Sequence, residues 1–364
     1  MTRTETPTVP PPHPSDHPLD PVGEQGRLAG WLEARGFALS RVEALPGDVS
    51  KRRYYRVHLA GRGSAVLATY PSDQVRVCER FRTTTRLLTE AGVRVPEVLA
   101  AECHGGLCLV EDLGEQTLHE WSENRSWDEV LPYYLSVLEP MARVAALPTG
   151  SVRDLSRPLD LELLEWELDK TWTTYLEPQG LAGPPETERR FRQALSELCR
   201  AVAAVPPVPC HRDLTPRNLV PLPDGATAIL DHQDLRLGPP LYDLASLLND
   251  TLFPPPDVEQ EMMEGWGMSL ARRLDYHRVA AQRTLKAVGS YAGAALQGND
   301  RRLELIPSTL RRALDHLRGA PETHGLVDEL GLLWQRVFEE GPVLEGTELA
   351  TRARRGALLQ SRES

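Results

Sequence analysis

Near the start of the folded chain, two short runs are rich in the apolar, β-branched and aromatic residues that favour strands. They are "YYRVHLA" (54–60) and "SAVLATY" (64–70), and the "GRG" between them supplies a turn. The pair predicts a β-hairpin. In "DQVRVCERFRTTTRLLTEAG" (73–92), Val77, Phe81, Leu87, Leu88 and Ala91 recur roughly in helical phase, which predicts a helix. "VPEVLAAECHGGLCLVEDLG" (95–114) reads as two strands joined at Gly105-Gly106. Upstream, "GRLAGWLEARG" (26–36) predicts a short helix ended by Gly36. From about residue 115 onward helical spacing takes over, in 127–147, 159–176, 185–205, 240–252, 276–296 and 305–319. Two further helices are expected between 324 and 354. The pattern predicts an α+β chain: a small β-rich N-lobe over 27–113, a large helical C-lobe over 114–345, and a cleft between them for a ligand. Residues 1–26 are rich in Pro, Thr, Asp and His and carry too little apolar surface to offset ordering entropy, so they are expected to be a disordered tail. Residues 346–364 read as a C-terminal tail.

Composition narrows the function. The 364 residues are 41% hydrophobic and 26% charged, ordinary for a soluble globular protein. The formal charge of −11 argues against nucleic acid or anionic membrane as the main partner. No apolar run approaches the roughly 18 residues a membrane span needs. The N-terminus has no apolar signal region, so a cytoplasmic protein is expected. Five cysteines without regular spacing do not read as a disulfide framework, and "CHGGLC" (103–108) reads as a hairpin turn between buried cysteines rather than a metal site.

The chemistry concentrates in 208–231. "VPC" (208–210) is a short apolar strand that delivers "HRDLTPRN" (211–218). Phosphoryl transfer needs one carboxylate to orient and deprotonate the attacking hydroxyl, oxygen ligands for Mg²⁺, and donors around the phosphates. Asp213 is the candidate base. Asn218 can offer its amide oxygen to the metal. "LVPLPDGATAILD" (219–231) predicts a hairpin turning at Asp224-Gly225, which brings Asp231 back as the second metal ligand. His211 reads as a structural histidine bonding loop backbone. Asp243, near a helix start after "GPP", reads as support for the same loop. Asp234 either lines the acceptor site or buttresses Asp231.

These residues, with "ILDHQDLRLGPPLYDLASLLND" (229–250) after them, resemble the aminoglycoside phosphotransferase / choline kinase superfamily. A protein kinase would follow its loop with Asp-Phe-Gly and an activation segment. Here Asp231 is followed by His232-Gln233-Asp234, and "GPPLYDL" begins a helix at once. "SKRRYYRV" (50–57), "HQD" (232–234) and "AAQRTLKAVGSYA" (280–292) bring the resemblance to the bacterial anomeric kinases of N-acetylmuramate and N-acetylglucosamine in cell-wall recycling. That family usually has Phe where Lys51 and His232 stand here. The resemblance implies a two-lobed, protein-kinase-like fold, ATP with Mg²⁺, and a small hydroxylated acceptor, an N-acetyl amino sugar. Aminoglycoside, choline or another small metabolite as acceptor, or a nucleotide-binding pseudokinase, are the alternatives.

The resemblance also implies roles in the N-lobe. "GDVSKRRYYRV" (47–57) would cover the phosphates, with Ser50, Lys51 and Arg53 as nucleotide contacts, and the backbone of Glu111 and Leu113 would meet the purine edge. The lysine that kinase-like folds carry on the third strand is missing from "SAVLATYPSD" (64–73); Lys51 or one of Arg52, Arg53 and Arg56 must replace it. Thr215 stands where many protein kinases have a phosphate-contacting lysine, and Arg217 is the proposed replacement. Glu165, Asp234 and Arg283 are the acceptor-binding candidates. Glu165 and Glu167 lie two apart on one helix, so they cannot both face the cleft. Arg283 and Lys286 share a helix face and can meet an acceptor carboxylate.

Overall fold

The computed structural model describes residues 21–45 and 52–342. The first twenty residues, Ser50, Lys51 and the tail 346–364 lie outside them. Among the described residues helix α1 (Pro21–Glu33) comes first, and it overlaps the segment expected as tail. Strands β1 (Leu39–Leu45), β2 (Arg53–Leu59) and β3 (Gly63–Thr69), helix α2 (Val75–Glu90), and strands β4 (Val98–Glu102) and β5 (Leu107–Glu111) follow. The sheet is antiparallel in the order β1-β2-β3-β5-β4. Strand alternation gives it two apolar faces. Leu67 and Leu109 pack with Leu28 and Leu32 of α1. Ala68, Cys108 and Val110 pack with Cys78 and Phe81 of α2. The β4–β5 turn needs glycine: Gly106 has φ +69°, and a Cβ there would lie 2.3 Å from the Tyr70 carbonyl oxygen.

One expectation about cysteine is overturned. Cys78 on α2 and Cys103 in the β4–β5 turn form a disulfide, tying helix to sheet. Cys108, Cys199 and Cys210 are free and buried.

The C-lobe is built from α3 (Leu118–Ser122), α4 (Trp127–Ser136), α5 (Leu138–Ala145), α6 (Thr149–Val152), α7 (Leu161–Thr171), α8 (Pro185–Ala203), α9 (Tyr242–Leu248), α10 (Pro256–Gly265), α11 (Leu270–Leu296), α12 (Ile306–Gly319) and α13 (Val327–Glu340). The helix expected over 127–147 is split at Val137, because Pro140 has no N–H for the Ser136 carbonyl. Four short strands, β6 (Val208–Cys210), β7 (Leu219–Pro221), β8 (Thr227–Ile229) and β9 (Arg236–Gly238), form two small antiparallel pairs at the cleft: β6 with β9, and β7 with β8. Helix α11 runs through the lobe, buried almost continuously from Tyr276 to Ala295. It lies close to α7: a Cβ on Gly289 would fall 2.3 Å from Thr171 Oγ1, and that hydroxyl donates to the Leu285 carbonyl at 2.9 Å.

Candidate active site

Strand β6 ends at Cys210 and hands the chain to His211-Arg212-Asp213. The loop is held from below by Asp243, a buried carboxylate in the first turn of α9. Asp243 Oδ2 accepts from the His211 backbone N–H at 2.7 Å, and Oδ1 from Arg212 N–H at 2.9 Å. His211 Nε2 lies 2.8 Å from the Leu230 carbonyl, linking this loop to the end of β8. Arg212 adopts φ +80° and Asp231 φ +54°. Both are left-handed at non-glycine residues, a strain that the surrounding bonds must sustain and that clusters at functional sites.

The β7–β8 hairpin turns at Gly225 (φ +84°), with Asp224 Oδ1 accepting from Ala226 N–H at 3.0 Å. Its register pairs Leu219 with Ile229, and Leu230 N–H donates to the Asn218 carbonyl at 2.8 Å. Asn218 therefore lies beside Asp231 although thirteen positions separate them. Asn218 Nδ2 donates to the Asp213 carbonyl at 2.8 Å, which leaves its amide oxygen free for a ligand. Asp231 Oδ1 accepts from Gln233 Nε2 at 2.7 Å and faces Arg52 Nη2 at 3.4 Å.

Asp213, Asn218 and Asp231 line one cleft of about 820 Å³ between the lobes. Glu111 and Leu113 line its N-lobe edge. The Glu111 N–H is taken by the Glu97 carbonyl, and its carboxylate by Arg94 at 2.5 and 2.7 Å. Arg52, not the exposed Arg53, reaches into the cleft from β2's start. Arg56 is committed to Asp112 at 2.7 Å.

Around Asp213 the field is strongly positive. Lys286 Nζ is 3.7 Å from Oδ1 and Arg212 Nη1 is 3.8 Å from Oδ2. Burial works to raise the Asp213 pKa, but Lys286, Arg212 and Arg283 overcome it and hold the carboxyl well below its ordinary range. Burial lowers the Lys286 pKa, with Asp213 opposing. His232 is fully buried against α2. It stacks on Phe81 at 4.5 Å between centroids, its Nδ1 lies 2.8 Å from Thr84 Oγ1, and burial pushes its pKa down to about 3.

The acceptor candidates separate. Arg283 lines the cleft, with Nε donating to Ser246 Oγ at 3.1 Å and Nη2 at 3.6 Å from Asp250. Asp234 is not among the cleft-lining residues; it gathers Arg212, Arg236 and Arg80 at 3.3, 3.5 and 3.9 Å and so buttresses the loop. Glu165 points to α8, accepting from Ser196 at 2.6 Å. Its neighbour Glu167 turns inward instead, to Arg212 at 3.2 Å and Gln282 at 3.1 Å. Arg217 pairs with the buried Asp250 at 2.9 Å, on the α3 and α11 side of the cleft. Arg52 and Lys286, both named from the sequence, line the cleft; Asp250 lines it too, and no sequence signal marked it.

This geometry is that of a phosphotransferase, and comparison with known proteins agrees. The model of the phosphotransferase enzyme family (APH) matches residues 41–282. The chain belongs to that family. It is 30% identical over 325 residues to the N-acetylmuramate/N-acetylglucosamine kinase of Pseudomonas aeruginosa, covering 84% of this chain and 91% of that one. The protein of the same name from Pseudomonas putida is 27% identical over 278 residues, 72% of this chain and 78% of that one. Among solved structures, a choline/ethanolamine kinase family protein from Mesorhizobium loti superposes with a TM-score of 0.58 at 18% identity, covering 85% of this chain and 99% of that one. An ADP-bound aminoglycoside phosphotransferase gives 0.57 at 12% identity, with 84% and 99% covered. The fold is thus the two-lobed kinase-like one expected from sequence, and this phosphotransferase is an ATP-dependent small-molecule kinase.

Proposed function

We propose that this kinase phosphorylates the anomeric C1 hydroxyl of an N-acetylated amino sugar, N-acetylmuramate or N-acetylglucosamine, using ATP with Mg²⁺. Asp213 accepts the proton of the attacking hydroxyl. The hydroxyl oxygen bonds to the γ-phosphorus as the bond to the β,γ-bridging oxygen breaks, and ADP leaves. Asn218 and Asp231 supply two oxygen donors that suit a hard cation completed by phosphate oxygens and water. When bound, Mg²⁺ would neutralise charge on the triphosphate. A purine would meet the Glu111 carbonyl and the Leu113 backbone. The dependence on ATP supports a cytoplasmic location.

The observation that carries the acceptor class is the shared name of the relatives, N-acetylmuramate/N-acetylglucosamine kinase. The C-lobe wall of the cleft presents both charges in equal number, Arg217, Arg283, Lys286, Arg301 and Arg302 with Glu115, Glu120, Asp213, Asp231 and Asp250. The test is an acceptor panel of N-acetylmuramate, N-acetylglucosamine, choline and aminoglycosides with ATP, the product assigned by ³¹P and ¹H NMR. A sugar 1-phosphate is expected. Phosphate on another carbon, or preference for a cationic acceptor, overturns the reading.

A further inference from the structure

Four basic side chains of the C-lobe surround the transfer site, and they differ in what holds them. Arg212 is committed to Glu167 at 3.2 Å and Asp234 at 3.3 Å. Arg217 is committed to Asp250 at 2.9 Å. Arg283 is tied to Ser246 and Asp250. Each of these keeps a carboxylate partner that plays no part in proton transfer. Lys286 does not: among the described residues its ion-pair partner is Asp213 itself. Its side chain is largely buried yet lines the cleft, on the face of α11 that also presents Arg283, Ala287, Ser290 and Tyr291.

We propose that Lys286 is a catalytic residue that carries the charge of the transferring phosphoryl group. A hydroxyl donating to Asp213 at about 2.6–3.2 Å lies beside an ammonium 3.7 Å from the same carboxylate. As that hydroxyl gives its proton to Asp213, the carboxylate becomes neutral and Lys286 loses its counter-charge. At that moment negative charge is spread over the equatorial oxygens of the phosphoryl group next to it. A buried ammonium without a partner is costly, so its attraction passes from Asp213 to those oxygens. The interaction grows toward the transition state rather than in the ground state, which makes it raise kcat rather than tighten substrate. Position 215, where a loop lysine would stand in many protein kinases, is a buried threonine here. The charge comes from α11 instead, and in a chain with only three lysines this one is buried at the reacting carboxylate.

The inference rests on the proposed role of Asp213, so Asp213→Asn is measured beside it. Lys286→Met and Lys286→Gln, the second keeping a polar group of similar length, are assayed with saturating ATP and acceptor. Loss of about 100-fold or more in kcat is expected for both, with the KM for ATP within threefold and the thermal shift by Mg·ADP retained. Lys286→Arg should recover at least tenfold of that loss. Either Met or Gln variant keeping kcat within threefold, or a loss confined to the acceptor KM, overturns the proposal. A wild-type-like Asp213→Asn would sink the base assignment instead, and a wild type inert toward every acceptor would sink the proposed function.

Discussion

Asp243 holds two consecutive backbone N–H groups, those of His211 and Arg212, one on each carboxylate oxygen. The clamp fixes Arg212 in its left-handed conformation and so aims Asp213 into the cleft. Asp243→Ala leaves two buried donors unpaired, at about 1–3 kcal/mol each. We expect urea unfolding to show a loss of at least about 2 kcal/mol and kcat to fall with it. Asp243→Asn, which still accepts one of the two bonds, should lie between. A variant with wild-type stability and turnover would show the clamp to be dispensable.

Asp213→Ala should lose at least about two orders of magnitude in turnover, because a base contributes mainly in the transition state. The proposed nucleotide contacts, Glu111 and Leu113, line the N-lobe edge of the cleft, and this substitution does not touch them. Mg·ADP should therefore stabilise the variant in a thermal-shift assay as it does the wild type. Turnover near the wild-type rate would remove Asp213 from the chemistry.

Arg217 was a candidate phosphate contact by its place next to Asn218, and the structure pairs it with Asp250 across from α3. For Arg217→Met we expect the acceptor KM to rise about tenfold, the scale of a hydrogen bond to a charged group, while the KM for ATP stays within threefold. The reverse pattern, a raised ATP KM with an unchanged acceptor KM, would return Arg217 to the phosphates.

How far the sequence could be read depended on how local each signal was. The β7–β8 hairpin was legible because Asp224-Gly225 fixes a tight turn and a tight turn fixes register, which placed Asn218 beside Asp231. His211 was legible as a support because it opens the loop it braces, and Asp243, 32 positions from it, because it stands near a helix start after "GPP". Glu165 and Glu167 show the limit. Helical geometry said that only one of them could turn inward, but the docking of α7 on α11 chose Glu167. Lys286 sits 73 positions from Asp213, and only the packing of α11 under the loop brings them together. The split of α4 from α5 was written in Pro140, a local signal that the long apolar periodicity of 127–147 masked.

The bond between Cys78 and Cys103 had no spacing pattern to announce it. Its cysteines are 25 positions apart, and closing a loop of that length stabilises a fold by about 3 kcal/mol. Cys78 lies one helical turn before Phe81, the ring that stacks on His232 next to Asp231. Thiol titration of the unfolded, unreduced chain should find three free thiols, rising to five after reduction. Cys78→Ser should lower the unfolding free energy by about 3 kcal/mol. Five thiols without reductant would mean that the pair is not joined in the isolated protein.

Acid should destabilise the C-lobe through His316. The ring is buried on α12, with Nε2 2.7 Å from Asn249 Oδ1 and Nδ1 3.1 Å from His277 Nδ1. Arg312 also donates to Asn249 Oδ1, at 2.8 Å, and the Asn249 amide donates to Tyr276 Oη at 3.0 Å. Burial, then Arg312 and His277, push the His316 pKa well below its ordinary value of 6.5; burial lowers His277 too. The folded state therefore keeps His316 neutral while the unfolded chain takes up a proton below about pH 6.5. Stability is complete above that pH and falls as pH drops through the window below it, by up to about 1.4 kcal/mol per unit for one such histidine. His316→Gln can still meet Asn249 but does not titrate. Its unfolding free energy between pH 6.5 and 5 should fall less steeply than that of the wild type, with the two curves parallel above pH 7. Equal slopes throughout the acid range would assign the pH dependence to other groups.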